Sequence, residues 1–268
     1  MVTATTVTRI ARDVVRAEGP DTAAFLQGQL SQDVEGMAVG ATAWSFLLQP
    51  QGKVDAWLRV FRIADDRFEL DVDTGFGEAV VARLNRFKLR TKCELTLEPS
   101  VPVLAVRGTA VDGARAIAWP DIDGGDLFDG AAPPAGATEL DAAGYEELRI
   151  AHGVPAMGAE LHEDTIPAEA GQWVVDASVS FTKGCFTGQE LVDRIDSRGG
   201  NVPRHLRVLD VDGPTPAPGT DLVLDGVAVG QVTSAAGPVA LAYLKRSVIP
   251  PATVTVGDEG PSATVRSA

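Results

Sequence analysis

The chain has 268 residues, enough to bury a large core spread over more than one module, and its 45% hydrophobic content is that of a soluble globular protein. No apolar run approaches the ~20 residues needed to span a bilayer, and 23 basic against 37 acidic side chains give a net charge of −14 that repels a phosphate backbone over most of the surface. Two cysteines, Cys93 and Cys185, and three dispersed histidines supply neither a disulfide framework nor the roughly four ligands of a structural zinc or iron–sulfur site, so reduced thiols and no resident metal are expected. The opening Met1–Thr8 lacks the basic flank and apolar stretch of a secretory signal, which makes the cytoplasm the expected location.

In chain order, Val14-Val15 reads as a strand leading to Asp21, a helix-capping residue, and a helix follows from Thr22 through Phe25, Leu26 and Leu30. Ala56–Ile63 and Phe68–Val72 alternate around Asp65-Asp66 as an antiparallel hairpin does. Val80, Val81, Leu84 and Phe87 recur at helical spacing over Gly77–Leu89, and Cys93 then falls in a strand-like stretch. The Pro/Gly/Ala-rich segments 131–137 and 212–219 read as loops, the second as a module boundary, and Tyr145 stands just before a helix. Farther on, Leu222–Leu224 and Val227–Val229 flank Asp225-Gly226, a hairpin signal, and Gly230–Ser234 and Val239–Leu244 continue the β pattern. The last ~65 residues therefore form a small all-β barrel or sandwich on a chain that is otherwise α+β. Basic side chains gather at Arg83, Arg86, Lys88, Arg90 and Lys92 and again at Arg194, Arg198, Arg204 and Arg207. The first cluster suits either a solvated, ion-paired face or the holding of an anion such as a polyglutamate tail.

The segment Lys183-Gly184-Cys185-Phe186-Thr187-Gly188-Gln189-Glu190 sets Cys185 between glycines, beside a lysine and just ahead of a short helix, Glu190–Arg198, that Gly199-Gly200 stops. Unpaired helix N–H groups, the helix dipole and Lys183 each favour the thiolate there, which suits a reactive thiol. The residues leave a second reading open, with Cys185 a small core residue, Lys183 solvated, and Gln189 and Glu190 satisfying the first N–H groups of the helix.

These eight residues resemble the K-G-C-Y/F-x-G-Q-E signature of the YgfZ family, folate-binding proteins related to the glycine-cleavage T-protein. Phe25–Val34 resembles that family's F-L-Q-G-Q-L/V-S/T-x-D-V opening, and Gln51-Gly52-Lys53, Leu84–Lys92, Tyr145–Pro155 and Arg198–Asn201 with Arg204 extend the likeness over nearly the whole chain. The resemblance implies three modules in a ring: a discontinuous folate-binding α+β module over 1–46 and 137–202, a second antiparallel, ferredoxin-like α+β module over 47–136, and a C-terminal β-barrel over 203–268. It implies tetrahydrofolate or a derivative as cofactor, Cys185 and Lys183 as the working pair, and Tyr145, Gln189, Glu190 and Arg204 at the folate. It also implies an accessory role in the assembly or repair of iron–sulfur enzymes, and through them in tRNA modification. The partners would be folate and iron–sulfur client or assembly proteins, without stable direct nucleic-acid binding and without a membrane.

The alternative is a tetrahydrofolate-dependent one-carbon transferase or demethylase. Two departures from the family pattern bear on it. Ala56 and Trp57 stand where the T-protein branch carries an acidic pair, and Asp55 falls one residue early, on the opposite face of a strand, so glycine-cleavage aminomethyl transfer is not expected. Ala151 takes a place where relatives commonly carry a Glu that bonds the pterin, so a bound pterin needs other anchors.

Overall fold

The structure, a computed structural model, describes residues 4–128 and 130–267; Met1–Thr3, Asp129 and Ala268, which the expected module bounds include, lie outside it. The first part of the chain carries β1 (Thr6–Glu18), α1 (Thr22–Gln29), β2 (Thr42–Leu48), β3 (Val54–Ala64), β4 (Arg67–Asp73), α2 (Gly77–Phe87), β5 (Glu94–Arg107), β6 (Arg115–Ala116), β7 (Gly124–Leu127) and β8 (Thr138–Glu139). Then come α3 (Ala142–Ala151), a 3-10 turn (Pro167–Ala170), α4 (Gln172–Ser178) and α5 (Gln189–Asp196). The C-terminal strands are β9 (Arg204–Val211), β10 (Asp221–Leu224), β11 (Val227–Ala236), β12 (Val239–Lys245), β13 (Ala252–Val256) and β14 (Ser262–Val265).

The first seven strands pair antiparallel in the order β2-β3-β4-β1-β5-β7-β6, and β8 joins β1 in parallel. Residues 1–46 and 47–136 thus share one sheet. They also share one core, in which Leu58, Val60 and Leu70 of the sheet meet Leu26 of α1, Leu84 of α2 and Val174 of α4. Each such fully buried aliphatic side chain contributes roughly 2 kcal/mol.

β1 is far longer than Val14-Val15 because it pairs on both sides, and its pairing with β5 is bulged at Asp13, which still pairs with Val72 of β4. The Asp13 carboxylate accepts from the backbone N–H of Gly75 (2.9 Å), Gly77 (3.0 Å) and Ser100 (2.9 Å), so a neighbouring strand caps the start of α2. Burial opposes its ionisation, but these donors hold the carboxyl below its ordinary range.

Several local expectations shift for identifiable reasons. Asp21 precedes α1 but makes no cap bond, because its Oδ2 accepts from the Lys92 N–H at 2.8 Å instead. Tyr145 lies inside α3, whose cap is Asp141, accepting from Gly144 N–H at 2.8 Å. α2 stops at Phe87 rather than Leu89, since the chain turns through Arg90 at a φ of 58°. Cys93 sits one residue ahead of β5.

The C-terminal strands close into a barrel in the order β10-β11-β12-β9-β14-β13, filled by Leu209, Leu222, Val232, Ala242, Leu244 and Val254. The hairpin at Asp225-Gly226 forms as its sequence signals, with both residues at positive φ, 51° and 76°. On the barrel's outer side, Leu206, Leu241 and Tyr243 pack on Ile150 of α3, and the Tyr243 hydroxyl donates to the Glu160 carbonyl at 3.0 Å. The architecture is α+β with a closed six-stranded barrel at its C-terminal end. Among the described residues no helix is long and apolar enough to cross a membrane.

Candidate functional site

One face of the sheet is charged and aromatic. Strand register sets Trp44 opposite Arg59, and Arg59 opposite Asp71, so all three share a face. Buried Asp71 accepts from Arg12 Nε (3.1 Å), Arg59 Nη2 (2.8 Å) and Arg115 Nη1 (3.2 Å). Asp126 pairs with Arg59 Nη2 and Arg107 Nη1, both at 2.8 Å. Burial works against both carboxylates, but the guanidiniums outweigh it and hold Asp71 and Asp126 below the usual carboxylate range. The network is not closed. Arg59 and Arg107 are only 1% and 2% exposed, yet Arg59 Nη1 and Arg107 Nε have no hydrogen-bond partner. Each orphaned donor costs on the order of 1–3 kcal/mol.

Beside this network lies a cavity of about 230 Å³ walled by Trp44, Trp57, Trp119 and Tyr145. Trp44 and Trp57 stack with ring centroids 3.9 Å apart, and the Trp119 and Tyr145 centroids are 6.0 Å apart. Arg107 ties the second pair together: its guanidinium carbon is 4.3 Å from the Trp119 ring centre, and its Nη2 donates to the Tyr145 hydroxyl at 2.9 Å. Burial pushes the Tyr145 phenol above its ordinary pKa, so it stays a neutral hydroxyl. Every carboxylate of the cavity wall is matched by an arginine: Asp73 by Arg12, Asp126 by Arg107 and Glu146 by Arg149. The cavity therefore offers aromatic faces but no free carboxylate base. That chemistry suits a flat heteroaromatic guest with hydrogen-bond acceptors.

Cys185 lies elsewhere, exposed on the loop between α4 and α5, whereas Cys93 is buried. The loop is fastened to the C-terminal end of α1. Lys183 Nζ donates to the carbonyls of Gln27 (2.6 Å), Leu30 (2.6 Å) and Gln32 (2.9 Å), which uses all three of its hydrogens, and Thr187 N–H donates to the Gly28 carbonyl at 3.1 Å. Burial draws the Lys183 ammonium down to about 8 against the pull of Asp33 and Glu35. Gly188, at a φ of 83°, meets the β2–β3 turn so closely that a Cβ would sit 2.5 Å from the Gln49 carbonyl oxygen.

The expected site residues thus fall into separate places. Cys185, Gln189 and Glu190 share a shallow surface cavity with Asp193, while Tyr145 lines the central one; Lys183 and Arg204 line neither. Lys183 holds carbonyls. Gln189 is engaged with the preceding loop and its own helix, its Oε1 accepting from Phe186 N–H at 3.3 Å and its Nε2 donating to Asp193 at 2.8 Å. Glu190 is exposed. Arg204, on the barrel, donates to Glu169 at 3.1 Å and lies 4.2 Å from the Tyr243 ring centre. Asp55 pairs with Arg83 at 2.8 Å, Trp57 lines the cavity, and the Ala151 carbonyl accepts from Arg266 at 2.8 Å. Among the described residues no three of His, Cys, Asp and Glu converge as a metal-holding group. Sequence reasoning missed the Arg59, Asp71, Arg107 and Asp126 network. Its trace is a single charge between strongly apolar neighbours, as in Leu58-Arg59-Val60 and Leu70-Asp71-Val72.

Residues 204–266 match the family model of the CAF17 C-terminal beta-barrel domain. The chain is 25% identical over 237 residues to the tRNA-modifying protein YgfZ of Pectobacterium carotovorum subsp. carotovorum, covering 77% of this chain and 70% of that one. It is 25% identical over 276 aligned residues to the mitochondrial iron-sulfur cluster assembly factor IBA57 of Mus musculus, covering 89% and 76%. The chain is a homologue of the YgfZ and IBA57 proteins. The fold is shared with glycine cleavage system aminomethyltransferase T from Bartonella henselae, at a TM-score of 0.78 and 19% identity over 99% of this chain and 86% of that one. This homologue of YgfZ and IBA57 therefore carries its exposed cysteine loop and its aromatic cavity on the aminomethyltransferase fold.

Proposed function

We propose that the chain is a cytoplasmic, folate-binding accessory protein of iron–sulfur cluster assembly or repair that supports iron–sulfur-dependent tRNA modification and works through the Cys185 thiol. The observation that carries this reading is the aromatic cavity, in which all carboxylates are neutralised by arginine. Such a lining fits binding of a pterin-like ring better than proton transfer to or from it. Trp119 and Tyr145 would pack against the ring from the cavity wall. Tetrahydrofolate, when bound, would supply its N5 and N10 nitrogens as carriers of a one-carbon unit. The relatives support the cellular role: one is named as a tRNA-modifying protein and another as an iron–sulfur cluster assembly factor. The exposed thiol at Cys185 is free to act as a nucleophile or as a transient iron ligand to a cluster in transit.

The test is rescue of iron–sulfur enzyme activity in cells that lack the protein. Wild-type protein restores activity, and Cys185→Ser at equal abundance does not. Restoration by the serine variant to the wild-type level would remove the thiol from the account.

A further inference from the structure

The stretch Ala79–Cys93 holds five basic residues and no acidic one, in a chain whose net charge is −14. Among the described residues, Arg83 is the one of the five in an ion pair, with Asp55 at 2.8 Å. Arg86, Arg90 and Lys92 are exposed and Lys88 is half-buried. In the same stretch Phe87 is 36% exposed and Leu89 85% exposed, the highest exposure of any large apolar side chain among the described residues. Leu89 is not on slack chain. The turn beyond α2 is pinned by Lys92 N–H to Asp21 at 2.8 Å and by Asp21 N–H to the Lys92 carbonyl at 3.3 Å, with Arg90 held at a φ of 58°. A built turn that displays a leucine among unpaired cations bears the marks of a contact surface.

Arg83, at the start of this stretch, reaches the segments that hold the Cys185 loop, while the turn itself is pinned to Asp21 at the other end of α1. Arg83 Nη1 donates to the Gln29 side chain at 3.3 Å and its Nη2 to the Leu48 carbonyl at 2.8 Å, while the Cys185 loop is fastened to the carbonyls of Gln27 and Gly28 next door. We infer that the end of α2 and its following turn dock an acidic protein, with carboxylates against Arg86, Lys88, Arg90 and Lys92 and an apolar recess for Leu89. This deepens the reading proposed above. An extended polyanion, whether nucleic acid or anionic bilayer, meets the net −14 of the whole molecule, whereas a compact acidic patch on a protein meets mainly the local positive field within a Debye length of about 8–10 Å. The exposed leucine favours a partner that can desolvate it.

The test places a photoreactive benzophenone side chain at position 89 in cells and identifies the adducts after illumination. The expected result is a protein adduct through a segment rich in Asp and Glu, reduced at least about tenfold by Arg86→Glu with Arg90→Glu. A second reversal, Lys88→Glu with Lys92→Glu, should act likewise. Adducts to RNA, to phospholipid or to a second copy of this chain overturn the inference, as does no adduct or one that survives both reversals. Tetrahydrofolate affinity should be unchanged in the reversal variants, so failure of the folate reading and failure of the docking surface give different patterns.

Discussion

Lys183→Met removes the ammonium and keeps most of the stem, which isolates what the lysine does. If Lys183 holds the loop, the substitution strips donors from the Gln27, Leu30 and Gln32 carbonyls at once. Bonds from a charged donor are worth roughly 1.5–3 kcal/mol each, and the relief of taking a half-buried ammonium out of the folded state offsets about half of their sum, which leaves a net loss of about 3 kcal/mol. For a chain of this size, 1 kcal/mol corresponds to about 2–4 °C, so the unfolding midpoint should fall by about 6–12 °C. The local signature is faster amide exchange in Gln27–Val34 and Phe181–Gly188, read by hydrogen–deuterium exchange, with the barrel unaffected. If Lys183 acts instead only as a cation beside the thiol, Lys183→Met slows alkylation of Cys185 and leaves the midpoint and the exchange pattern at wild-type values. That outcome would refute the loop-holding role.

Asp71→Asn should destabilise the protein by about 3–5 kcal/mol in thermal unfolding, because it leaves three buried arginines facing a neutral amide. Since the folded-state pKa of Asp71 and Asp126 lies below the ordinary value, their contribution is full above about pH 4 and is lost as pH falls through the folded pKa; acid titration of stability should be shallower in Asp71→Asn than in wild type. Iodoacetamide should modify exposed Cys185 at least about tenfold faster than Cys93, which is buried and whose thiol is pushed up by that burial; equal rates in the native protein contradict the placement of Cys185. With an aminomethylated lipoyl carrier and tetrahydrofolate, the protein should form methylenetetrahydrofolate no faster than background, and a clear catalytic rate would restore the transferase reading.

The C-terminal barrel was legible because its signals are local: Asp225-Gly226 dictates a hairpin, and Leu222–Leu224 and Val239–Leu244 alternate or run apolar over strand lengths. The Cys185 loop was legible as a motif, but the role of Lys183 was not, since its partners lie some 150 positions earlier and chain spacing says nothing of them. Asp21 looks like a helix cap by sequence, but a tertiary donor, the Lys92 N–H, wins its carboxylate. The cap of α2 comes from Asp13 across a bulge, which no local pattern announces. The resemblance names Tyr145 as an expected folate contact but says nothing of its setting. Its hydroxyl partner Arg107 and its ring neighbour Trp119 come from the end of β5 and from the connection between β6 and β7, brought together by strand order rather than by sequence proximity.

The central claim is most directly tested by titrating the protein with tetrahydrofolate and following tryptophan emission, because three of its four tryptophans, Trp44, Trp57 and Trp119, wall the cavity. The account predicts a saturable change with a dissociation constant of about 1–40 μM, equivalent to roughly −6 to −8 kcal/mol, weakened about tenfold by Tyr145→Ala. An emission spectrum that does not change up to millimolar tetrahydrofolate, together with no heat in calorimetry, would contradict it.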